Sequence, residues 1–130
     1  MSKKVLVVDD DPDVRTFVIT VLEENQYTPL VAQDGIEGME KIETENPDLV
    51  ILDVLMPRGS GIRLYRSLKT DERYKTLPVI MLTGIALRSF LKSQKVLAEF
   101  KGGEVPIPDV YLEKPVEPED LVEAIQKKLG

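Results

Sequence analysis

Cysteine and histidine are both absent from this sequence of 130 residues. Without cysteine, neither a disulfide framework nor a thiolate metal site can form. Without histidine, imidazole–metal clusters, Ser-His-Asp triads and imidazole acid–base chemistry are excluded. Apolar runs long enough to span a bilayer and the cleavage region of a signal peptide are also missing. These absences favour a soluble, cytoplasmic protein.

Positive charge is in the minority, with a net charge of -6 and an isoelectric point near 4.8. This balance argues against nucleic-acid binding through a basic face, because phosphates would be repelled. The length fits one domain that can bury a proper core. We therefore expect a single domain over residues 1–130, with no output domain after it.

Apolar runs alternate with amphipathic stretches along the chain. Runs rich in Val, Ile and Leu are typical of strands buried on both faces of a parallel sheet. The predicted strands are 4–8, 28–32, 49–54, 78–83 and 109–113. Together with the helical pattern that follows each of them, they predict an α/β fold with a five-stranded parallel sheet and helices on both faces.

The helical stretches carry recognisable start and stop signals. Asp11 before Pro12 predicts an N-cap, and Asp34 with Glu37 resembles a capping box. The fourth helix should stop at 102–103, within an irregular stretch over 101–109. The predicted apolar faces are, in chain order, Val14, Phe17, Val18, Val21 and Leu22; Ile36, Met39 and Ile42; Gly61, Leu64, Tyr65 and Leu68; Leu87, Phe90, Leu91, Gln94 and Leu97; and Leu121, Val122, Ile125 and Leu129.

Polar residues follow the ends of four predicted strands. Asp9 and Asp10 end the first, Asp53 the third and Thr83 the fourth, and Lys114 follows the fifth. The carboxyl ends of parallel strands share one edge, where open α/β sheets bind ligands. Clustered carboxylates raise one another's pKa values unless a cation such as Mg²⁺ neutralises them. With a lysine and a threonine beside a nucleophilic aspartate, the set indicates a Mg²⁺-assisted phosphoryl site.

Four motifs in order then resemble the receiver domain of two-component response regulators, the CheY-like family. They are "VVDDD" (7–11), "ILDVLMPRGSG" (51–61), "LTG" (82–84) and "YLEKP" (111–115), and the resemblance covers essentially the whole chain. It implies a flavodoxin-like sandwich with strand order 2-1-3-4-5, an order for which a member of this family is a standard example.

The resemblance also implies a role for each matching residue. Asp53 would accept a phosphoryl group from a phosphohistidine on a kinase or phosphotransfer protein. Asp10 would hold Mg²⁺ directly and Asp9 through water, with the Leu55 carbonyl completing the protein ligands. Lys114 and Thr83 would bind the phosphoryl group, Tyr111 matches the aromatic switch position, and the Lys114–Pro115 bond should be cis.

The function so implied is a stand-alone switch that regulates a partner protein through its fourth-helix, fifth-strand and fifth-helix face. We expect a monomer or weak dimer that contacts neither nucleic acid nor membrane. The chain is not a conventional enzyme in this interpretation, since it only phosphorylates and slowly dephosphorylates itself. The sequence does not separate a complete protein from a fragment of a longer regulator.

Three alternatives remain open at this point. A Mg²⁺-dependent phosphatase would use Asp53 as nucleophile, but such enzymes usually carry a second aspartate where this chain has Leu55. A receiver-like module could signal without phosphorylation, although the full polar set argues against it. A flavodoxin-like FMN carrier is disfavoured, because no phosphate loop follows the first strand.

The chain departs from the family pattern at several points. Thr83 and Lys114 are further apart than usual, and the extra residues in "EFKGGEVPIPD" (99–109) are expected to shape partner choice. Gly84 replaces a frequent alanine. Leu55 and Ile85 lie where the family tunes attack of water on the phosphoryl group. Aliphatic side chains cannot orient water, which predicts slow dephosphorylation.

Overall fold

The sheet and the helices follow the predicted alternation closely. A computed structural model describes residues 2–92 and 108–130. The strands are β1 (Lys4–Val8), β2 (Thr28–Ala32), β3 (Leu49–Leu52), β4 (Val79–Thr83) and β5 (Val110–Glu113). The helices are α1 (Pro12–Glu24), α2 (Gly35–Glu45), α3 (Ser60–Thr70), α4 (helical over 87–92) and α5 (Pro118–Leu129). The strands are parallel in the order β2-β1-β3-β4-β5, which confirms the predicted fold class and strand order.

Two apolar layers enclose the sheet. On one side α1 and α5 pack against alternate residues of the central strands, such as Val5, Ile51 and Ile80. On the other side α2 and α3 pack with Phe90 of α4 against the intervening residues, such as Leu6 and Leu52. Because successive strand residues point to opposite faces, continuous apolar runs are what such a doubly covered sheet requires. The prediction of helices on both faces is confirmed.

The predicted helix starts are present at α1 and α2. The side chain of Asp11 accepts a hydrogen bond from the backbone N–H of Asp13, and Pro12 occupies the first turn. Asp34 Oδ1 accepts from the N–H of Glu37 at 2.8 Å. Each bond satisfies a backbone donor that has no partner within its helix.

The predicted buried face of α2 is wrong at one position. Ile36 is 75% exposed, whereas Gly35, Gly38 and Ile42 are buried. A Cβ atom on Gly38 would lie 3.0 Å from a methyl group of Leu64, so α2 approaches its neighbours through its glycines. Close packing therefore turns the glycine side of α2 inward and leaves Ile36 outside. Apolar spacing alone could not reveal this rotation.

Some predictions fall outside the described residues. These are the distal positions of the fourth helix (Gln94 and Leu97), its stop at 102–103 and most of the stretch 101–109. In the described part of the chain, no helix is long and apolar enough to cross a membrane.

Candidate functional site

Strand register brings the predicted site residues to one edge of the sheet. Val8 of β1 pairs with Leu52 of β3, so the residues that follow them, Asp9 and Asp53, emerge side by side. The N–H of Asp53 still donates to the carbonyl of Val8 at 3.0 Å, which fixes this alignment beyond β3. The carboxyl edge of the sheet therefore holds both aspartates, as predicted.

Three carboxylates form a compact cluster at this edge. Each of Asp9, Asp10 and Asp53 offers an oxygen, and these oxygens all lie within 4.8 Å of one another. Asp9 and Asp53 are only 2% and 5% exposed, whereas Asp10 is open to solvent. Because only Asp10 is exposed, an ion could enter the cluster from the side of Asp10. The cluster could hold a metal ion, and its all-oxygen donors suit a hard divalent cation.

Lys114 connects the two buried carboxylates. Its ammonium lies 2.9 Å from Asp9 Oδ2 and 3.1 Å from Asp53 Oδ2. The backbone places it there, since the N–H of Lys114 donates to the carbonyl of Thr83 at 2.8 Å. The Lys114–Pro115 peptide bond is cis, as expected. One ammonium faces three carboxylates, so the site retains an excess of negative charge that favours a further cation.

Burial and charge shift the ionisation of this cluster. Burial is the largest influence on Asp9 and raises the pKa of its carboxyl, against the opposing effects of the Asp11 N–H and Lys114. Burial alone would lower the pKa of the Lys114 ammonium, but Asp9 and Asp53 outweigh it and hold that pKa above its ordinary value. Lys114 is therefore a permanent cation in the site at neutral pH.

Backbone donors fix the orientation of both buried carboxylates. The N–H of Leu55 donates to Asp53 Oδ1 at 2.8 Å, and the N–H of Asp11 donates to Asp9 Oδ1 at 2.9 Å. In each aspartate the Oδ1 atom is thus held by the main chain and the Oδ2 atom by Lys114. The two carboxylates are positioned alike and share one cation.

Gly61, in the first turn of α3, allows the close approach of α3 to Asp53. A Cβ atom on this residue would lie 2.2 Å from the Asp53 carbonyl oxygen and 2.7 Å from Val54 Cα. Both are far inside van der Waals contact, so α3 and the strand end fit together only with glycine here. The predicted position of Gly61 on the buried helix face is confirmed, and its contact explains the choice of residue.

Thr83 and Tyr111 lie further along the same edge and share the β4–α4 loop. Thr83 is fully buried, and its Oγ1 accepts a hydrogen bond from the N–H of Ile85 at 3.4 Å. The Tyr111 hydroxyl donates to the Ile85 carbonyl at 2.6 Å, and its ring packs 5.6 Å from that of Phe90. Burial, with a smaller contribution from Glu113 and Asp53, raises the pKa of Tyr111 to about 12.

Comparison with known proteins identifies the family. The profile of the response regulator receiver domain matches residues 5–126. The chain belongs to the response regulator receiver domain family. It is 32% identical over 126 residues to the phosphate regulon transcriptional regulatory protein PhoB of Escherichia coli, covering 97% of this chain and 51% of that protein. The chain thus spans about half the length of this curated relative.

Solved receiver structures share the fold over nearly the whole chain. Chemotaxis protein CheY4 of Vibrio cholerae superimposes with a TM-score of 0.80 at 29% identity, covering 98% of this chain and 99% of that one. A CheY-like receiver from Methanospirillum hungatei gives 0.79 at 32% identity, covering 99% and 94%. Receivers of this family are phosphorylation-dependent elements of two-component signalling, which confirms the expected function at that level. They interact with a phosphodonor kinase and with downstream targets, and they are generally not conventional enzymes.

Two contacts in this receiver were not predicted from the sequence. The guanidinium of Arg15 donates to the Asp9 carbonyl at 2.7 Å, and Glu113 Oε1 accepts from the N–H of Leu87 at 3.2 Å. Both had a signal: Arg15 is one helical turn after the Asp11 cap, and Glu113 shares a strand face with Tyr111. They hold the turn before α1 and the start of α4 against the site edge.

Proposed function

We propose that this receiver takes a phosphoryl group from a phosphohistidine donor onto Asp53. The observation that carries the proposal is the placement of Asp53 Oδ2 at 3.1 Å from Lys114, inside a cluster of three carboxylates. Attack by a carboxylate oxygen of Asp53 forms a P–O bond while the P–N bond of the donor breaks. The electron pair stays on the departing imidazole, which takes up a proton.

Asp10 and Asp53, with the carbonyl of Leu55, would hold Mg²⁺, and Asp9 would reach it through water. The donor set fits, because all three side chains present oxygens within 4.8 Å of one another. When bound, Mg²⁺ neutralises phosphoryl oxygens and reduces the repulsion between them and the carboxylates. Lys114 supplies a second positive charge that is already in place, and the Leu55 N–H keeps Asp53 in position.

Thr83 and Tyr111 would transmit the conformational change caused by phosphorylation of Asp53 to the protein surface. Within residues 2–92 and 108–130, the hydrogen bond of the Thr83 hydroxyl is with the Ile85 N–H, at the long distance of 3.4 Å, so its exchange for a phosphoryl oxygen would cost little. Tyr111 contacts the same residue through the Ile85 carbonyl. Movement at Thr83 would therefore bias the β4–α4 loop and the α4, β5 and α5 face that meets a partner protein.

The test is intact-protein mass spectrometry after incubation with acetyl phosphate, with and without Mg²⁺. We expect one added phosphoryl group that depends on Mg²⁺ and is absent from Asp53→Asn. Asp13→Asn, which changes an exposed carboxyl of α1, is the matched control and should be phosphorylated normally. Phosphorylation of the Asp53→Asn variant to the same extent would contradict the proposal.

A small phosphate ester separates the proposal from a phosphatase. A phosphatase would release inorganic phosphate from p-nitrophenyl phosphate over many turnovers. A phosphoacceptor switch would not, since the Leu55 side chain cannot orient the water that would hydrolyse the phosphorylated Asp53 and free it for another turnover. Sustained turnover that Asp53→Asn abolishes would replace the proposed function with that activity.

A further inference from the structure

The outer side of α2 presents apolar side chains to solvent. Ile36 is 75% exposed, and Met39, one turn later, is only partly buried. A single exposed apolar residue needs no explanation. Here, however, the two follow helical spacing on the side that the inward-facing glycines leave outside.

A groove of about 760 Å³ runs along this side between α2 and α3. Each helix contributes residues at positions i, i+3, i+4 and i+7, so both walls are continuous helix faces. Met39 from α2 and Leu64 from α3 supply apolar surface inside it, and Ile36 and Pro57 lie at one end. Seven residues of helix correspond to about 10 Å, the length of roughly two turns of a partner helix.

The two walls carry opposite charges. Glu40 and Glu43 line the α2 wall, and Arg63 of α3 lines the other wall with Arg58 of the preceding turn; all four are exposed. Among residues 2–92 and 108–130, none of the four forms an ion pair. The Arg63 guanidinium instead donates to the Arg58 carbonyl, which holds it at that rim. The apolar surface of Met39 and Leu64 thus lies between an acidic edge and a basic edge.

The walls of the groove are tightly packed at one end. A Cβ atom on Gly35 would lie 2.4 Å from the Ser60 carbonyl oxygen, so the first turns of α2 and α3 are in direct backbone contact. A groove fixed in this way is largely formed before a ligand arrives. Binding to it requires little rearrangement, which favours affinity.

We propose that the α2–α3 groove docks an amphipathic helix of a partner protein. That helix carries an apolar row flanked by basic residues on one side and acidic residues on the other. The backbone groups of α2 and α3 are used within the helices, so no strand edge is offered to an extended peptide. A helix with basic residues on both flanks, or with acidic residues on both, would be repelled by the wall that carries the same charge. The groove reaches the carboxylate cluster at Asp10, but docking of the helix does not itself require phosphorylation of Asp53.

Three synthetic helical peptides with the same leucine row test the proposal. One has lysine along one flank and glutamate along the other, the second has lysine on both, and the third has glutamate on both. Binding is followed through the ¹³C-labelled methyl groups of methionine, with Met39 reporting on the groove and buried Met81 as internal reference. Without phosphodonor or divalent cation, the result is independent of the proposed phosphorylation.

The mixed peptide should shift the Met39 signal, leave Met81 unchanged and bind at least about tenfold more tightly than either uniform peptide, a difference that corresponds to 1.4 kcal/mol. In a Glu40→Lys/Glu43→Lys variant both walls become basic, and preference should pass to the peptide with glutamate on both flanks. Glu23→Lys/Glu24→Lys makes the same charge change on exposed α1 residues and should keep the original order. An unmoved Met39 signal, a uniform peptide that binds as tightly as the mixed peptide, or no change of preference in the groove variant would each overturn the proposal.

Discussion

Lys114 and Asp53, 61 positions apart in the chain, are joined by a hydrogen bond of 3.1 Å between Nζ and Oδ2. The same ammonium lies 2.9 Å from Asp9, so one cation neutralises part of two buried charges. In the absence of a metal, this contact opposes the repulsion between the aspartates. The phosphoacceptor cluster and the stability of the metal-free fold are therefore linked through one side chain.

Lys114→Ala should destabilise the metal-free protein, because it leaves two buried carboxylates without their cation. The expected loss is about 1–3 kcal/mol, below that for a fully buried pair because the lysine side chain is partly exposed. Urea unfolding at pH 7 in EDTA measures it. The control is Lys127→Ala, which removes an exposed ion pair with Glu123 at 3.3 Å and should cost about 0.5 kcal/mol or less. Equal losses in the two variants would contradict the bridging role.

The raised pKa of Asp9 predicts a pH dependence with a definite sign. Below the ordinary value of 3.8 the carboxyl is protonated in both the folded and unfolded states. As pH rises from there through the higher pKa of the folded state, the unfolded chain loses its proton first, so the free energy of unfolding falls. Asp9→Asn removes the titrating carboxyl and therefore this fall in the free energy of unfolding. In EDTA the variant should gain stability relative to wild type between pH 4 and 7, as urea unfolding would show. A difference independent of pH would rule out burial of a charged Asp9 as the cause.

An added methyl group should destabilise the protein at Gly61 and have little effect at Gly84. In Gly61→Ala the Cβ atom meets the Asp53 carbonyl at 2.2 Å, whereas at Gly84 it meets nothing within 4 Å. Overpacking of this kind typically costs about 1–3 kcal/mol, although alanine is otherwise the better helix former. Gly61→Ala should lose stability and weaken Mg²⁺ binding by shifting Asp53, as calorimetric titration would show. Gly84→Ala should remain within about 0.5 kcal/mol of wild type.

The fold could be predicted because its signals are local and periodic. β1 and β2 have the predicted bounds, and the Asp11 and Asp34 caps lie where expected. The error at Ile36 has a physical cause, since glycine carries no hydrophobic signal yet can bring a helix closest to its neighbours. Spacing identifies a helix, but the side that packs depends on contacts the sequence does not display.

The candidate site was predictable for a different reason. Parallel strands deliver their last residues to one edge, so Asp9, Asp53 and Lys114 had to meet once the strands were located. Helix and strand spacing indicates which further side chains face the site, but the backbone atoms that they bond depend on loop geometry and could not be predicted. Arg15 and Glu113 belong to this class: each reaches a backbone atom of another segment.

Tyr111→Phe should separate the contribution of the tyrosine hydroxyl to stability from that of the ring. Loss of the 2.6 Å bond to Ile85 should cost about 1 kcal/mol, while phenylalanine keeps the packing against Phe90. In a spectrophotometric titration, wild type should show a tyrosine with a pKa of about 12 that the variant lacks. Tyr27→Phe is the control, since in the described part of the chain its hydroxyl makes no hydrogen bond. An unchanged titration in Tyr111→Phe would contradict the burial of its hydroxyl.

Leu55 offers a test of how long the proposed phosphoryl group persists. Its side chain is 60% exposed at the edge of the site, and its N–H holds Asp53. Leucine cannot hydrogen-bond an attacking water, whereas asparagine at this position could orient one. Leu55→Asn should therefore lose the phosphoryl group faster, by about tenfold if one hydrogen bond lowers the barrier by roughly 1.4 kcal/mol. The measurement is the decay of phosphorylated mass after the donor is removed.

Leu55→Ala distinguishes orientation of water from simple access to it. Alanine opens the site but supplies no hydrogen bond, and the exposed position means that neither substitution should disturb the core. If orientation controls the rate, the alanine variant should decay as slowly as wild type and only asparagine should accelerate the loss. If both variants accelerate equally, shielding by the leucine side chain controls the rate instead. If neither does, the slow step does not involve this side chain, because the hydrogen bond from its backbone N–H to Asp53 is common to all three proteins.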